Sequence, residues 1–142
     1  MTKTTNKKDK EKINPRAWYL VDAKEASLGR IATQIATFLT GKNRSDYLPH
    51  EDKGGYVVVV NTDKLNIPAG KLKGKIYHHY SGYPGGLRSK DLAGKLAQRG
   101  STWVVREAVR GMLPKNRLRR ERLVRLKIYG SEEHPYQDQF KK

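Results

Sequence analysis

The chain has 142 residues, 30 of them basic and 14 acidic, for a formal net charge of +16. That length suits a single domain of about 100–150 residues, and Leu, Ile, Val and Phe make up only about a fifth of it, so the core is small. No apolar run approaches the roughly 20 residues that span a bilayer. The absence of cysteine excludes a disulfide framework, a thiolate metal site and a cysteine nucleophile.

Residues 1–15 read as a disordered basic tail and residues 16–142 as one domain. The first twelve residues hold five Lys, Asp9 and Glu11, and no apolar side chain after Met1. This fits neither a secretory signal nor an Arg-rich, acid-poor transit peptide, so the expected location is the cytoplasm. Trp18–Asp22 is a predicted strand after Pro15. Leu28, Ile31, Ala32, Ile35, Ala36 and Leu39 recur at helical spacing, with Ser27 as N-cap and Gly41 as the stop. Gly29, in the first turn, suggests close approach by another backbone. Tyr56–Val60 is a continuous apolar, mostly β-branched run, the pattern of a strand buried on both faces. Strand, helix and buried strand together predict a right-handed crossover in a parallel sheet.

Residues 65–67 and Ile76–Tyr80 are two further strand candidates. Two more helices are predicted. One covers residues 90–98, with Ser89 as cap and Leu92, Ala93, Leu96 and Ala97 inward; the other covers residues 102–113, with Val104, Val105, Ala108, Val109 and Met112 inward. Arg106 and Arg110 on the second share an outward face. The alternation of Val124, Leu126 and Ile128 with Arg125, Lys127 and Tyr129 predicts a terminal half-buried strand.

The charge is unevenly placed. Residues 71–130 hold sixteen basic and three acidic side chains, whereas residues 13–70 hold seven and six. A polyanion is the natural partner for such a stretch, because each cation that meets a phosphate releases condensed counterions. A membrane surface would require an apolar stripe opposite the charges, and residues 115–125 lack one.

No motif points to catalysis. The neighbours His78 and His79 in Tyr77-His78-His79-Tyr80 face opposite sides of a strand and cannot share one metal; rings beside a basic patch suit base stacking and phosphate contact. Ser81-Gly82-Tyr83-Pro84-Gly85-Gly86-Leu87 reads as a Gly-rich loop between a strand and a helix, but neither nucleotide-binding glycine template occurs in the chain. No cofactor and no small-molecule substrate is expected. Lys115-Asn116-Arg117-Leu118-Arg119-Arg120-Glu121-Arg122 is the densest basic run, with one acid to pair. Arginine forks bind phosphate bidentately, so residues 115–125 are expected to be poorly ordered alone and to order on RNA.

Several blocks recur together: Ser27-Leu28-Gly29-Arg30-Ile31-Ala32, Tyr47-x-Pro49-His50, residues 58–61 and 81–87, Arg110-Gly111-Met112-Leu113-Pro114-Lys115-Asn116, Lys127-Ile128-Tyr129 and Glu133-His134-Pro135. In this order and spacing, over about residues 16–140, the chain resembles the family of large-ribosomal-subunit protein thirteen in its bacterial form. The resemblance implies a three-layer α/β/α fold on a four-stranded parallel sheet, with basic loops and extensions. It also implies a structural role in binding large-subunit rRNA early in subunit assembly, beside neighbouring ribosomal proteins and not as a homo-oligomer. The chain departs from the family at Arg119, where Gly is usual, and at Gly130-Ser131, where Ala-Gly is frequent.

The residues expected at the RNA are Lys71, Lys73, Lys75, His79, Tyr83, Arg88, Arg110, Lys115, Asn116, Arg117, Arg120 and Arg122, with Lys42, Arg44 and His50 as a second patch. One rival is a nucleic-acid-processing enzyme, which would draw Mg²⁺ ligands from Asp46, Glu51, Asp52 and Asp63. Another is a free RNA-binding translational regulator using the same basic surface.

Overall fold

The computed structural model describes residues 16–140, so the basic tail expected at 1–15 lies outside the described residues. Strand β1 (Trp18–Asp22) and strand β2 (Tyr56–Val60) pair in parallel, joined by helix α1 (Leu28–Thr40). This is the predicted crossover. Ser27 occupies the N-cap position with extended backbone, although its side chain makes no capping bond. Gly41 ends the helix in the left-handed region at φ 82°, donating its N–H to the Thr37 carbonyl. No heavy atom lies within 4 Å of where a Gly29 Cβ would stand, so the close approach expected there does not occur. It occurs at Gly54, whose Cβ would lie 1.8 Å from the Leu39 carbonyl oxygen.

The chain then forms helix α2 (Ala69–Gly74), strands β3 (Ile76–Tyr80) and β4 (Leu87–Asp91), helices α3 (Leu92–Met112) and α4 (Leu118–Val124), and strand β5 (Leu126–Ile128). Strand β5 completes a three-stranded parallel sheet in the order β1-β2-β5, with Val57 opposite Leu126 and Val59 opposite Ile128. The expected fourth parallel strand is absent from the described residues. Strand β3 instead pairs antiparallel with β4 in a separate hairpin. Its turn includes Gly82 and Gly85 at φ 89° and 75°, values that glycine adopts without strain. The Gly-rich loop thus joins two strands, not a strand and a helix. Strand β4 (Leu-Arg-Ser-Lys-Asp) has no β-branched or aromatic residue to announce it. Residues 65–67 contribute one isolated bridge, Asn66 to Ser27, after a short 3₁₀ turn at Thr62–Lys64.

Val21, Val57, Val59 and Leu126 share one face of the sheet and pack with Ile31, Ile35 and Leu39 of α1 and with Val104, Val105 and Val109 of α3. The opposite face carries Trp18, Tyr56 and Val58. Trp18 stacks on Tyr56 at 4.5 Å, and the C-terminal segment covers it through Tyr136 at 5.2 Å and Phe140 at 6.4 Å. Between these two residues the segment makes a 3₁₀ turn at Gln137–Gln139.

Helix α3 merges the two predicted helices across a break at Gly100, whose φ of 77° and ψ of 173° are accessible essentially to glycine alone. Its N-cap is Asp91, accepting the Gly94 N–H at 3.0 Å, rather than Ser89, which lies in β4. Ser101, just past the break, donates to Asp63 at 2.7 Å and lies 3.1 Å from the Thr62 hydroxyl, fixing the bend to the 3₁₀ turn. At the helix end Leu113 is buried while Met112 is 44 % exposed, a one-residue shift from the predicted inward set.

Candidate nucleic-acid interface

The basic segment 115–125 is ordered, contrary to expectation. Seven of its residues form α4, and two of its arginines are in the interior: Arg122 is 1 % and Arg125 5 % exposed. Their partner is Asp52, about 70 residues upstream and therefore invisible to local charge counting. Arg125 donates through Nη1 and Nη2 to the Asp52 carboxylate, the latter at 2.7 Å, and its Nη2 and Nε reach the Leu39 and Gly55 carbonyls at 3.2 Å. Arg122 lies 3.5 Å from the same carboxylate, and its Nε and Nη2 make no hydrogen bond. Burial pushes the Asp52 carboxyl up, but hydrogen bonding and charge from Arg125, with Arg16 and Arg122, outweigh it and hold the group below its ordinary value. Arg122 therefore has to be removed from the residues expected at RNA: its guanidinium is enclosed and serves the fold.

The remaining cations of this region stay outside. Arg106 and Arg110 of α3 face Arg117, Arg119 and Arg120 across an open pocket of about 700 Å³ that also includes Asn116. Its other lining groups are Leu123 and Val124, so no carboxylate lines it. Glu107, at its border, takes a hydrogen bond from Arg110. Lys115 is exposed beside it. Two sequence signals converge here, the i,i+4 pair on α3 and the dense run on α4. The pocket adds Arg106 and Arg119 to the predicted set.

A second basic region surrounds the hairpin. Lys71 and Lys73 are exposed on α2, and Lys75, just after it, places its ammonium 5.5 Å above the Tyr77 ring. His79 and Arg88 are cross-strand partners, and Tyr83 at the hairpin tip is 75 % exposed. Burial, then Glu107, raises the Tyr77 phenol above its ordinary value, so it stays neutral. Lys90, Lys95 and Arg99 also belong to this region and were absent from the predicted set. Lys95 and Arg99 carried the same i,i+4 signal as Arg106 and Arg110.

The third patch is charge-balanced. Arg44 donates to Asp46 at 2.9 Å, Lys53 reaches Glu51 at 3.0 Å, and His50 lies 3.7 Å from Glu51. Hydrogen bonding from Arg44 lowers the Asp46 carboxyl and correspondingly raises the Arg44 guanidinium. Lys42 is exposed nearby. The acids of the enzyme reading are thus engaged: Asp46, Glu51 and Asp52 in ion pairs, the first two sharing Lys53, and Asp63 with Ser101. Among the described residues no group of three His, Cys, Asp or Glu side chains is placed to hold a metal ion.

The arrangement can hold phosphates, in keeping with what the chain is similar to. The family model for ribosomal protein L13 matches residues 16–135. A large ribosomal subunit protein uL13 from Geobacter sulfurreducens is 48 % identical over 137 residues, covering 96 % of this chain and 94 % of that protein. The uL13 of Syntrophus aciditrophicus is 48 % identical, covering 92 % and 91 %, and that of Legionella pneumophila (strain Corby) is 46 % identical, covering 85 % and 83 %. With the family match and these relatives running nearly end to end, the chain belongs to the ribosomal protein L13 family.

Proposed function

We propose that this protein is a structural constituent of the large ribosomal subunit in the cytoplasm, where it binds large-subunit rRNA and supports early assembly. The observation that carries the reading is the pocket of five arginines between α3 and α4, lined by no carboxylate. Arg110 is paired with Glu107, which leaves Arg106, Arg117, Arg119 and Arg120 around one space as like charges that repel one another, and backbone phosphates relieve that repulsion with charge-assisted hydrogen bonds. Arg110, Lys115, Asn116, Arg117 and Arg120 contact RNA on this side, and Lys71, Lys73, Lys75, His79, Tyr83 and Arg88 on the hairpin side. Lys42 and His50 are outlying contacts, whereas Arg44 is held by Asp46. Contacts of this kind read RNA shape and backbone more than base sequence. The chain acts as a single copy against RNA and neighbouring ribosomal proteins, and its role is structural rather than enzymatic.

Sedimentation of a cell lysate through a sucrose gradient, with detection of this chain, tests the proposal. Co-migration with the large subunit that survives a moderate salt wash is the expected result. A chain that remains at the top of the gradient overturns it.

A further inference from the structure

We propose that the cleft between the β3–β4 hairpin and the first half of α3 is a separate site for an unpaired nucleotide of RNA; this rests on the RNA-binding reading above. The cleft has a volume of about 570 Å³, within the ordinary range of small-ligand pockets. One wall comes from the hairpin. The register sets Tyr77 opposite Lys90 and His79 opposite Arg88, so all four side chains share one face. That face turns toward α3, because the Tyr77 ring meets Trp103 edge-on at 5.4 Å.

The other wall is α3 before its break. Lys95 and Arg99, one turn apart, both lie over the Trp103 ring, at 5.7 and 5.5 Å. Lys90 donates across the cleft to the Gln98 side chain at 3.1 Å, tying the walls together. Arg88, Lys90, Lys95 and Arg99 are four cations around one space, and no carboxylate lines it. An anion is the missing partner.

The rings decide which anion. A duplex buries its base faces in the stack and presents phosphates on convex ridges, which meet an open arginine surface better than a concave cleft. An unpaired nucleotide offers a phosphate and a free π-face at once, and it matches a site where cations stand beside the rings of Tyr77 and His79. The Gly100 break separates this site from the arginine pocket: Lys95 and Arg99 precede it, Arg106 and Arg110 follow it.

The test compares binding of the full chain to a labelled ten-nucleotide oligouridine strand and to a ten-base-pair RNA duplex by fluorescence anisotropy. The Lys95→Ala/Arg99→Ala variant is expected to weaken oligouridine binding about tenfold or more, and to lower its log-affinity against log-salt slope by about 1.4 for two lost phosphate contacts. Duplex binding should change far less. The Arg117→Ala/Arg120→Ala variant should show the reverse preference. Arg88→Ala, on the opposite wall, repeats the first result without touching α3. Unchanged oligouridine affinity in both cleft variants, or equal losses for strand and duplex, overturns the proposal. If the unaltered chain binds large-subunit rRNA while the cleft variants lose nothing for oligouridine, the cleft alone is refuted. If the unaltered chain binds no RNA at all, the underlying reading falls with it.

Discussion

Asp52 gathers three arginines around one carboxylate. Its carboxylate, 9 % exposed, is the acid that meets both interior arginines, and Arg16 also reaches it at 3.4 Å. Removing one partner from a buried ion pair leaves uncompensated charge, and Asp52→Asn should cost about 3–5 kcal/mol in urea unfolding of the free protein. The pH dependence has a definite sign. Because the folded-state carboxyl lies below its unfolded value, the stabilisation is complete above the unfolded pKa of about 3.9 and is lost as pH falls through the folded one. Stability measured between pH 6 and 3 should therefore fall in the unaltered chain, and Asp52→Asn should remove part of that fall. An identical acid limb in the two proteins would show that the pair does not set it. Gly130, one of the departures from the family pattern, lies against the Asp63 side chain, which would have to shift to admit a Cβ. A Cβ there would stand 2.4 Å from the Asp63 carboxylate, the group that receives the Ser101 hydroxyl.

At the scale of elements, α4 shows why a run of like charges can still fold. The arginines at its cap and along it divide by place: Arg117, Arg119 and Arg120 line the open pocket, while Arg122 is buried. Arg117→Ala/Arg120→Ala should therefore leave the melting temperature of the free protein nearly unchanged, with exposed substitutions staying within about 0.5 kcal/mol. Arg122→Ala should lower it clearly, because it empties a fully buried site beside Asp52. Thermal melts followed by circular dichroism distinguish the two, and equal melting temperatures would show that Arg122 is dispensable to the fold. The hairpin follows a different logic. Most of β3 and β4 is exposed, and the pair is held to the body by Tyr77 against Trp103 and by Lys90 donating to the Gln98 side chain at 3.1 Å.

Across the whole molecule, the excess charge is divided between two faces that meet along α3, and the balanced patch after α1 adds little to it. Cations gathered on two faces make RNA affinity depend on counterion release. If about 6–10 phosphates are neutralised, affinity for large-subunit rRNA should fall roughly 10³–10⁵-fold between 50 and 200 mM salt by the duplex-DNA slope, and somewhat less steeply for RNA. Filter binding across a salt series measures this directly. A flat response would place the arginines and lysines away from the interface.

Much of this architecture is legible in the sequence. The stripe from Leu28 to Leu39, the run Tyr56–Val60 and the break between two helices near Gly100 are local patterns, set by side-chain periodicity and glycine conformation, and each corresponds to an element at those residues. The charge imbalance of residues 71–130 likewise needed no structure to see, and the ordered blocks were enough to suggest the family. Three matters were decided only by tertiary contact. Strand β3 joined β4 rather than the parallel sheet, because a glycine turn brought a polar segment without strand propensity alongside it. Trp18 at the sheet's outer face was covered by Tyr136 and Phe140, which lie far from it in the chain. Arg122 and Arg125 were withdrawn from the surface by Asp52, a carboxylate from a distant loop. Composition counts charges, but only the packed chain determines which are paired, and so which remain free to meet a phosphate.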